Sequence, residues 1–150
     1  MNSMKETAVV THQGADRTGH PHRLRRLVRT GLIATLAAAA ATTCAAALAR
    51  AVGADFEVQG GETIPLSGIA VVTGFFSAVG IVIAAALLRL SLRPAERFMW
   101  TAMSLTAISL IPPLLSGATT ATTTALLGLH LVPAAVMIPT LTRTLGTRAG

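Results

Sequence analysis

The chain is 150 residues long, which is enough for one domain and too short for two separate cores. Hydrophobic residues make up 52% of it and charged residues 12%, whereas an average soluble domain has about 25% charged residues. This composition excludes a soluble globular protein and favours one embedded in a lipid bilayer. The net charge of +6 suggests nucleic-acid binding as an alternative, but aromatic residues make up only 3%. Because the basic residues flank apolar runs instead, we expect no nucleic-acid partner.

The N-terminal segment, residues 1–23, is polar and interrupted by glycine and proline. It lacks the apolar residues needed to bury a core, which predicts a disordered cytoplasmic tail. His12, His20 and His22 raise the alternative of a metal site. Their spacing matches no fixed ligand set, so we interpret them as solvated side chains.

Four apolar runs follow the tail, and each is long enough to cross a bilayer as a helix. Strands of a membrane barrel alternate apolar and polar residues, whereas runs such as GIVIAAALL do not. Helices satisfy every backbone group within their own segment, as lipid requires. The sequence therefore predicts an all-α, four-helix transmembrane bundle. We place the membrane domain at 24–145, with spans at about 30–52, 66–88, 98–115 and 121–141, and a short cytoplasmic tail at 146–150.

The first apolar run is only weakly hydrophobic, because ten of the 18 residues from Leu32 to Ala49 are alanine. The run is long enough for a span if Thr30 and Val52 are included and the Arg50 guanidinium reaches out of the bilayer core. The basic residues before it and the sequence ALARA at its end also fit a secretory signal peptide. Its 18 residues exceed the usual signal-peptide core of about 7–15, so we favour a span. Cleavage after this run, which would leave three spans, remains the alternative.

Lysine and arginine are distributed unevenly between the connections. Eleven of the twelve lie before the first span, in residues 89–97 or after the fourth span, and Arg50 alone lies on the other side. Short connections rich in lysine and arginine stay in the cytoplasm. The pattern predicts a multi-pass protein of the inner, or plasma, membrane with both termini in the cytoplasm.

The first outside connection, residues 53–65, carries three acidic residues and no basic one. Its stretch DFEVQGGETI alternates apolar Phe56 and Val58 with polar residues and then reaches Gly60-Gly61. Two glycines between short alternating arms are typical of a β-hairpin. We therefore predict a short extracellular hairpin, with the acidic side chains in solvent.

Residues suited to catalysis are scarce in the spans. All six acidic residues lie in tails and connections, and the single cysteine, Cys44, excludes an internal disulfide and a cysteine-only metal site. No metalloprotease or phosphate-loop motif occurs. We therefore expect that the protein is not an enzyme and has no catalytic, cofactor-binding or metal-binding residues.

His130 is the one ionisable residue near the middle of a span. Ionisable residues at this depth are rare and face the bundle interior. By span midpoints, Thr43, Ser77 and Thr106 lie at the same depth, which predicts an intramembrane polar layer of four side chains. A neutral imidazole donates one hydrogen bond and accepts another, so the layer would act as interhelical glue. The alternative is a proton relay or ligand site.

Three segments resemble a known family. They are AVGADFEV after the first span, SGATTATT in the second outside connection and LLGLHLVPAAVMIPTLTRTL near the end. They are similar to an uncharacterised family of small four-helix actinobacterial membrane proteins, a domain of unknown function. The resemblance covers about Arg26 to Leu145 and implies the four-helix fold. It implies no activity and no catalytic residues.

The leading functional interpretation is a noncatalytic membrane protein with a structural or interaction role. Its partners would be the lipid bilayer and another membrane protein or a second copy of the chain. The alternative is a small transporter or channel component with His130 in a polar intramembrane path. A membrane enzyme is the third and least supported class.

Overall fold

The computed structural model describes the backbone of residues 3–58 and 61–147 and the side chains of residues 21–57 and 61–147. The described elements are helices joined by short connections, with two short strands in the first connection. In chain order they are α1 (Ser3–Ala51), β1 (Glu57–Val58), β2 (Glu62–Thr63), α2 (Leu66–Leu90), α3 (Pro94–Ser109), α4 (Ile111–Leu114) and α5 (Thr120–Gly146).

Three of the described helices are long and apolar enough to cross a membrane. They are α1 from Pro21 onward, α2 and α5, with 31, 25 and 27 residues. Large apolar side chains cover their outer surfaces, and Leu36 and Phe75 are 73% and 63% exposed. A soluble protein seldom exposes contiguous apolar surface on this scale. These helices are suited to contact with lipid, and they confirm the prediction of an all-α fold with helices long and apolar enough to span a membrane.

Helix α1 begins earlier than the sequence indicates. Its described backbone is helical from Ser3, through residues for which the sequence predicts a disordered tail. The side chains are described from Pro21, and His22 is exposed. The side chains of His12 and His20 lie outside the described residues. The predicted domain boundaries, at residues 23 and 145, stay predictions.

The third predicted span, 98–115, is not one continuous helix. Helix α3 ends at Ser109 and α4 begins at Ile111, and the Ser109 hydroxyl donates to the Thr106 carbonyl at 2.7 Å. The proline pair that follows has no backbone N–H to donate to the preceding turn, and its rings crowd the carbonyls there. The sequence contained this signal in Pro112-Pro113. With 16 residues, α3 alone is shorter than a usual transmembrane helix.

Helix α1 packs between α2 and α5 through a stripe of small residues. These residues recur every three or four positions, so they share one face of the helix. The stripe is buried and consists of Gly31, Ala34, Ala38, Thr42 and Ala46. A Cβ atom at Gly31 would approach Cγ1 of Ile81 on α2 to 2.7 Å. Small residues allow this close approach where lipid removes the hydrophobic drive for association.

The two ends of the bundle differ in charge. At one end the Arg23 guanidinium donates to the Leu145 carbonyl at 3.3 Å, beside the connection between α2 and α3. At the other end the Thr122 hydroxyl donates to Oδ1 of Asp55 at 2.6 Å. We call these the basic end and the acidic end. Helices α1 and α5 therefore run antiparallel, and the chain from α3 to α4 leads from the basic end to the acidic end.

Strands β1 and β2 pair antiparallel at the acidic end. Glu57 lies opposite Thr63 and Val58 opposite Glu62. The predicted turn at Gly60-Gly61 lies partly outside the described residues, because residues 59 and 60 are not described. Gly61 has a φ of 79°, a conformation that glycine adopts without steric cost.

Candidate functional site

The acidic end is closed by a buried aromatic ring. Phe56 is 0% exposed and packs in a cluster with Ala46, Ile69 and Leu126. Its φ is 55°, which is unusual for a bulky residue and costs about 1–3 kcal/mol. The burial of its ring stabilises this backbone conformation. The first outside connection is therefore folded against the bundle.

The end of α1 directs the chain into this conformation. Gly53 has a φ of 101°, and its N–H donates to the Arg50 carbonyl at 3.1 Å. The N–H of Ala54 donates to the Ala49 carbonyl at 2.9 Å. These two bonds form the Schellman motif, which requires the left-handed conformation that glycine favours. The motif turns the chain back toward the helices immediately before Phe56.

Arg50 holds both sides of the connection. Its guanidinium lies 5.5 Å from the centroid of the Phe56 ring, within the range of a cation–π interaction. The same group donates a hydrogen bond to the Ile64 carbonyl, and the Ile64 N–H donates to the Phe56 carbonyl at 3.1 Å. The cation also lies in the last turn of α1, where it interacts favourably with the helix dipole. Arg50 does not simply reach outward, as the sequence suggested.

Asp55 joins the connection to α5. Its Oδ1 accepts a 2.6 Å hydrogen bond from the buried Thr122 hydroxyl and a 3.1 Å bond from the Glu57 N–H. The hydroxyl of Thr119, the N-cap residue of α5, accepts from the Thr122 N–H at 3.3 Å. The hydrogen bond from Thr122, followed by that from Glu57, lowers the pKa of the exposed Asp55 carboxyl. The ionised form of Asp55 therefore stabilises the acidic end.

This contact predicts a pH dependence of stability. Because the pKa of Asp55 is lower in the folded chain, its stabilising effect is complete above the unfolded-state pKa. The effect is lost as the pH falls through the folded-state pKa. Thr122→Val removes the hydroxyl donor and keeps the side-chain shape. The variant should be less stable than wild type at neutral pH, and this difference in stability should become smaller as the pH falls. The measurement is thermal unfolding in detergent from neutral to acidic pH.

The matched control is Thr124→Val, which lies two residues further along α5 on its exposed side. The Thr124 hydroxyl donates to the Thr120 carbonyl and touches no titrating group in that bond. Its effect on unfolding should not vary with pH. A Thr122→Val deficit that stays constant down to acidic pH would contradict the role assigned to Asp55.

Two residues of the predicted polar layer, His130 and Thr43, form hydrogen bonds within their own helices. Nδ1 of half-buried His130 donates to the Leu126 carbonyl at 2.7 Å, because a carbonyl oxygen only accepts. The Thr43 hydroxyl donates to the carbonyl of Ala39 at 2.8 Å. Ser77 is buried and Thr106 is half-buried. Among the described residues no hydrogen bond joins His130 to the three hydroxyls. Their common depth in a bilayer stays a prediction.

Bonding to the preceding turn is a general feature of these helices. Ser and Thr hydroxyls in helices often donate to the carbonyl four residues earlier. The threonines that do so here are Thr35, Thr42, Thr43, Thr124, Thr140 and Thr144. The Thr142 hydroxyl is buried and has no partner among the described residues. Each of these local bonds satisfies a hydroxyl without a partner on another helix.

The described residues offer little chemistry beyond these contacts. They contain no group of three or more His, Cys, Asp or Glu side chains that could hold a metal ion. Cys44 is exposed on α1, on a surface that includes exposed Leu48. At the acidic end, the side chains of Arg50, Phe56 and Asp55 join distant parts of the chain.

Residues 22–147 match the model of a family of unknown function, DUF6069, and the chain belongs to this family. The match covers nearly all of the chain outside the N-terminal segment and confirms the resemblance to an uncharacterised family. No curated protein and no solved structure matches the chain at a significant level.

Proposed function

We propose that this member of the family crosses the cell membrane four times, keeps both termini in the cytoplasm and acts without catalysis. Its role is structural or one of interaction with another membrane protein or a second copy. The charge distribution supports the orientation, because the basic end includes Arg89, Arg93 and Arg97. Such connections are retained in the cytoplasm.

The path of α3 and α4 supports four crossings. The chain leaves the basic end at Pro94 and reaches the acidic end before Thr119. A helical path over residues 94–114 extends about 30 Å at 1.5 Å per residue, which equals the hydrocarbon thickness of a typical bilayer. The break at Leu110 shifts the direction of this path near its outer end. We therefore include α3 and α4 together as the third crossing.

The observation that carries the noncatalytic role is the local bonding of polar groups inside the bundle. A catalytic site requires several groups to converge on one reacting position. Here the Thr42 and Thr43 hydroxyls donate to carbonyls of α1 itself, and Nδ1 of His130 donates to a carbonyl of α5. These groups fix side-chain conformation within each helix. They stabilise a passive scaffold better than they serve a reaction.

A transport role is the second candidate, and the imidazole of His130 is the observation in its favour. The bond from Nδ1 to the Leu126 carbonyl leaves Nε2 as the acceptor of the neutral ring. An imidazole can release a proton from one ring nitrogen and accept one at the other, so it can relay protons. Proton transfer through the bundle would therefore depend on His130.

Proton flux in proteoliposomes separates the two roles. For the noncatalytic role we expect vesicles with wild-type protein to acidify no faster than empty vesicles under an imposed potential, as read by an internal pH-sensitive dye. His130→Asn, which keeps a polar side chain but does not titrate near neutral pH, should behave identically. Flux above that of empty vesicles that His130→Asn abolishes, with unchanged thermal unfolding, would overturn the noncatalytic role in favour of transport.

A further inference from the structure

An open groove of about 1000 Å³ lies between α1 and α2 at the basic end of the bundle. We call it the α1–α2 groove. Its lining comes from one face of α1 and from the last turn of α2. Its lining includes Arg25, Arg29 and Arg89 together with the apolar Leu32 and Ile33. The groove therefore combines a long apolar wall with three guanidinium groups.

The basic and the apolar residues of the groove occupy different parts of α1. Arg25 and Arg29 are one helical turn apart on the same face, and Arg89 joins them from α2. Leu32 and Ile33 follow toward the middle of the bundle and are 55% and 60% exposed. Leu32 is the seventh residue after Arg25, which places it about 10 Å deeper along the helix. The charged part thus lies at the surface and the apolar part extends inward.

The three arginines have no acidic partner among the described side chains. Asp55, Glu57 and Glu62 lie at the acidic end, and Glu96 pairs with Arg93 at 3.5 Å. Arg25, Arg29 and Arg89 are all exposed. Guanidinium groups bind phosphate through paired, charge-assisted hydrogen bonds. A ligand that complements this groove therefore carries a phosphate at one end and an apolar chain at the other.

We propose that the α1–α2 groove binds a phospholipid with an anionic headgroup from the leaflet at the basic end. The phosphate and headgroup contact Arg25, Arg29 and Arg89, and an acyl chain lies along Leu32 and Ile33. Basic pockets between transmembrane helices suit such lipids. A free phosphate would use the arginines and leave the apolar wall uncovered. The inference requires only that the bundle lies in a bilayer, and it goes beyond the proposed function.

The test measures lipid retained by the full chain. The protein is equilibrated in mixed micelles containing equal amounts of phosphatidylglycerol and phosphatidylcholine, re-isolated, and the bound lipids are quantified by mass spectrometry. Wild type should retain phosphatidylglycerol preferentially. The triple variant Arg25→Gln, Arg29→Gln, Arg89→Gln should lose the preference by at least about tenfold, given the attraction of each arginine to anionic lipid.

Two further variants distinguish a specific lipid site in the groove from nonspecific attraction of anionic lipid to the basic end. Arg93→Gln, Arg97→Gln and Arg143→Gln together remove the same charge near the same end but outside the groove lining, and should retain the preference. Ile33→Trp fills the apolar part while keeping all three arginines, and should reduce retention even if the triple groove variant fails to fold. Inorganic phosphate should not displace the lipid. Equal loss in both triple variants, unchanged retention in Ile33→Trp, or displacement by inorganic phosphate would overturn the proposal.

Discussion

Ala38→Leu is expected to destabilise the bundle strongly, whereas the adjacent Ala37→Leu is expected to be nearly neutral. Ala38 is 0% exposed and belongs to the cluster formed with Ile81, Ala84 and Leu141. A leucine there adds three carbon atoms to the contact between α1 and its neighbours. Overpacking of this kind costs about 1–3 kcal/mol, and in a close helix contact the helices must also separate. Ala37 is exposed on the same helix, and leucine is well accommodated in lipid.

The pair is informative because both substitutions change composition and helix propensity identically. The measurement is thermal unfolding in detergent, monitored as the fraction of protein that remains monodisperse at each temperature. If Ala37→Leu lowers the unfolding temperature as much as Ala38→Leu, the small-residue stripe does not form the helix contact.

Phe56→Ala is expected to have the second large effect. The ring is 0% exposed, and truncation of a buried phenylalanine costs about 3–5 kcal/mol. The cation–π contact with Arg50 is lost as well. Phe75→Ala is the matched control, because Phe75 is 63% exposed on α2. Its truncation should change thermal unfolding little in detergent.

The variant Phe56→Gly distinguishes the effect of losing the buried ring from the effect of backbone strain at this position. Glycine lacks the buried ring but adopts the positive φ without the strain of alanine. Phe56→Gly should therefore be more stable than Phe56→Ala and still less stable than wild type. An unfolding temperature for Phe56→Ala equal to that of Phe75→Ala would contradict the closure of the acidic end by this ring.

The helices with the strongest apolar character could be predicted from the sequence. Leu66–Leu90 follows the predicted second span closely, because a long uncharged run leaves the backbone no alternative in lipid. The alanine-rich first run was weaker by hydropathy, yet it forms the helix at the centre of the packing. Its alanines contribute to packing mainly because their small side chains let the neighbouring helices approach closely, and less through their hydrophobicity. The helix break before Pro112-Pro113 has a signal in the sequence, because proline ends or kinks a helix.

The contacts at the acidic end could not be predicted in the same way. Asp55 and Thr122 are 67 residues apart, and their pairing depends on how α1 and α5 pack. The positive φ of Phe56 has no signal in residue type, since aromatic residues rarely adopt it. The predicted polar layer around His130 rests on depth in the span alone. Depth does not determine hydrogen bonding when each side chain has a backbone carbonyl available within its own helix.

The central claim, four crossings with both termini in the cytoplasm, is tested most directly by cysteine accessibility. In a Cys44→Ala background, single cysteines replace Glu62, Arg93, Thr120 and Thr147, and intact cells are treated with an impermeant thiol reagent. Positions 62 and 120 should be labelled in intact cells, and positions 93 and 147 only after permeabilisation. Protection of position 120 together with labelling of position 147 would mean that α3 and α4 do not cross, and would contradict the account.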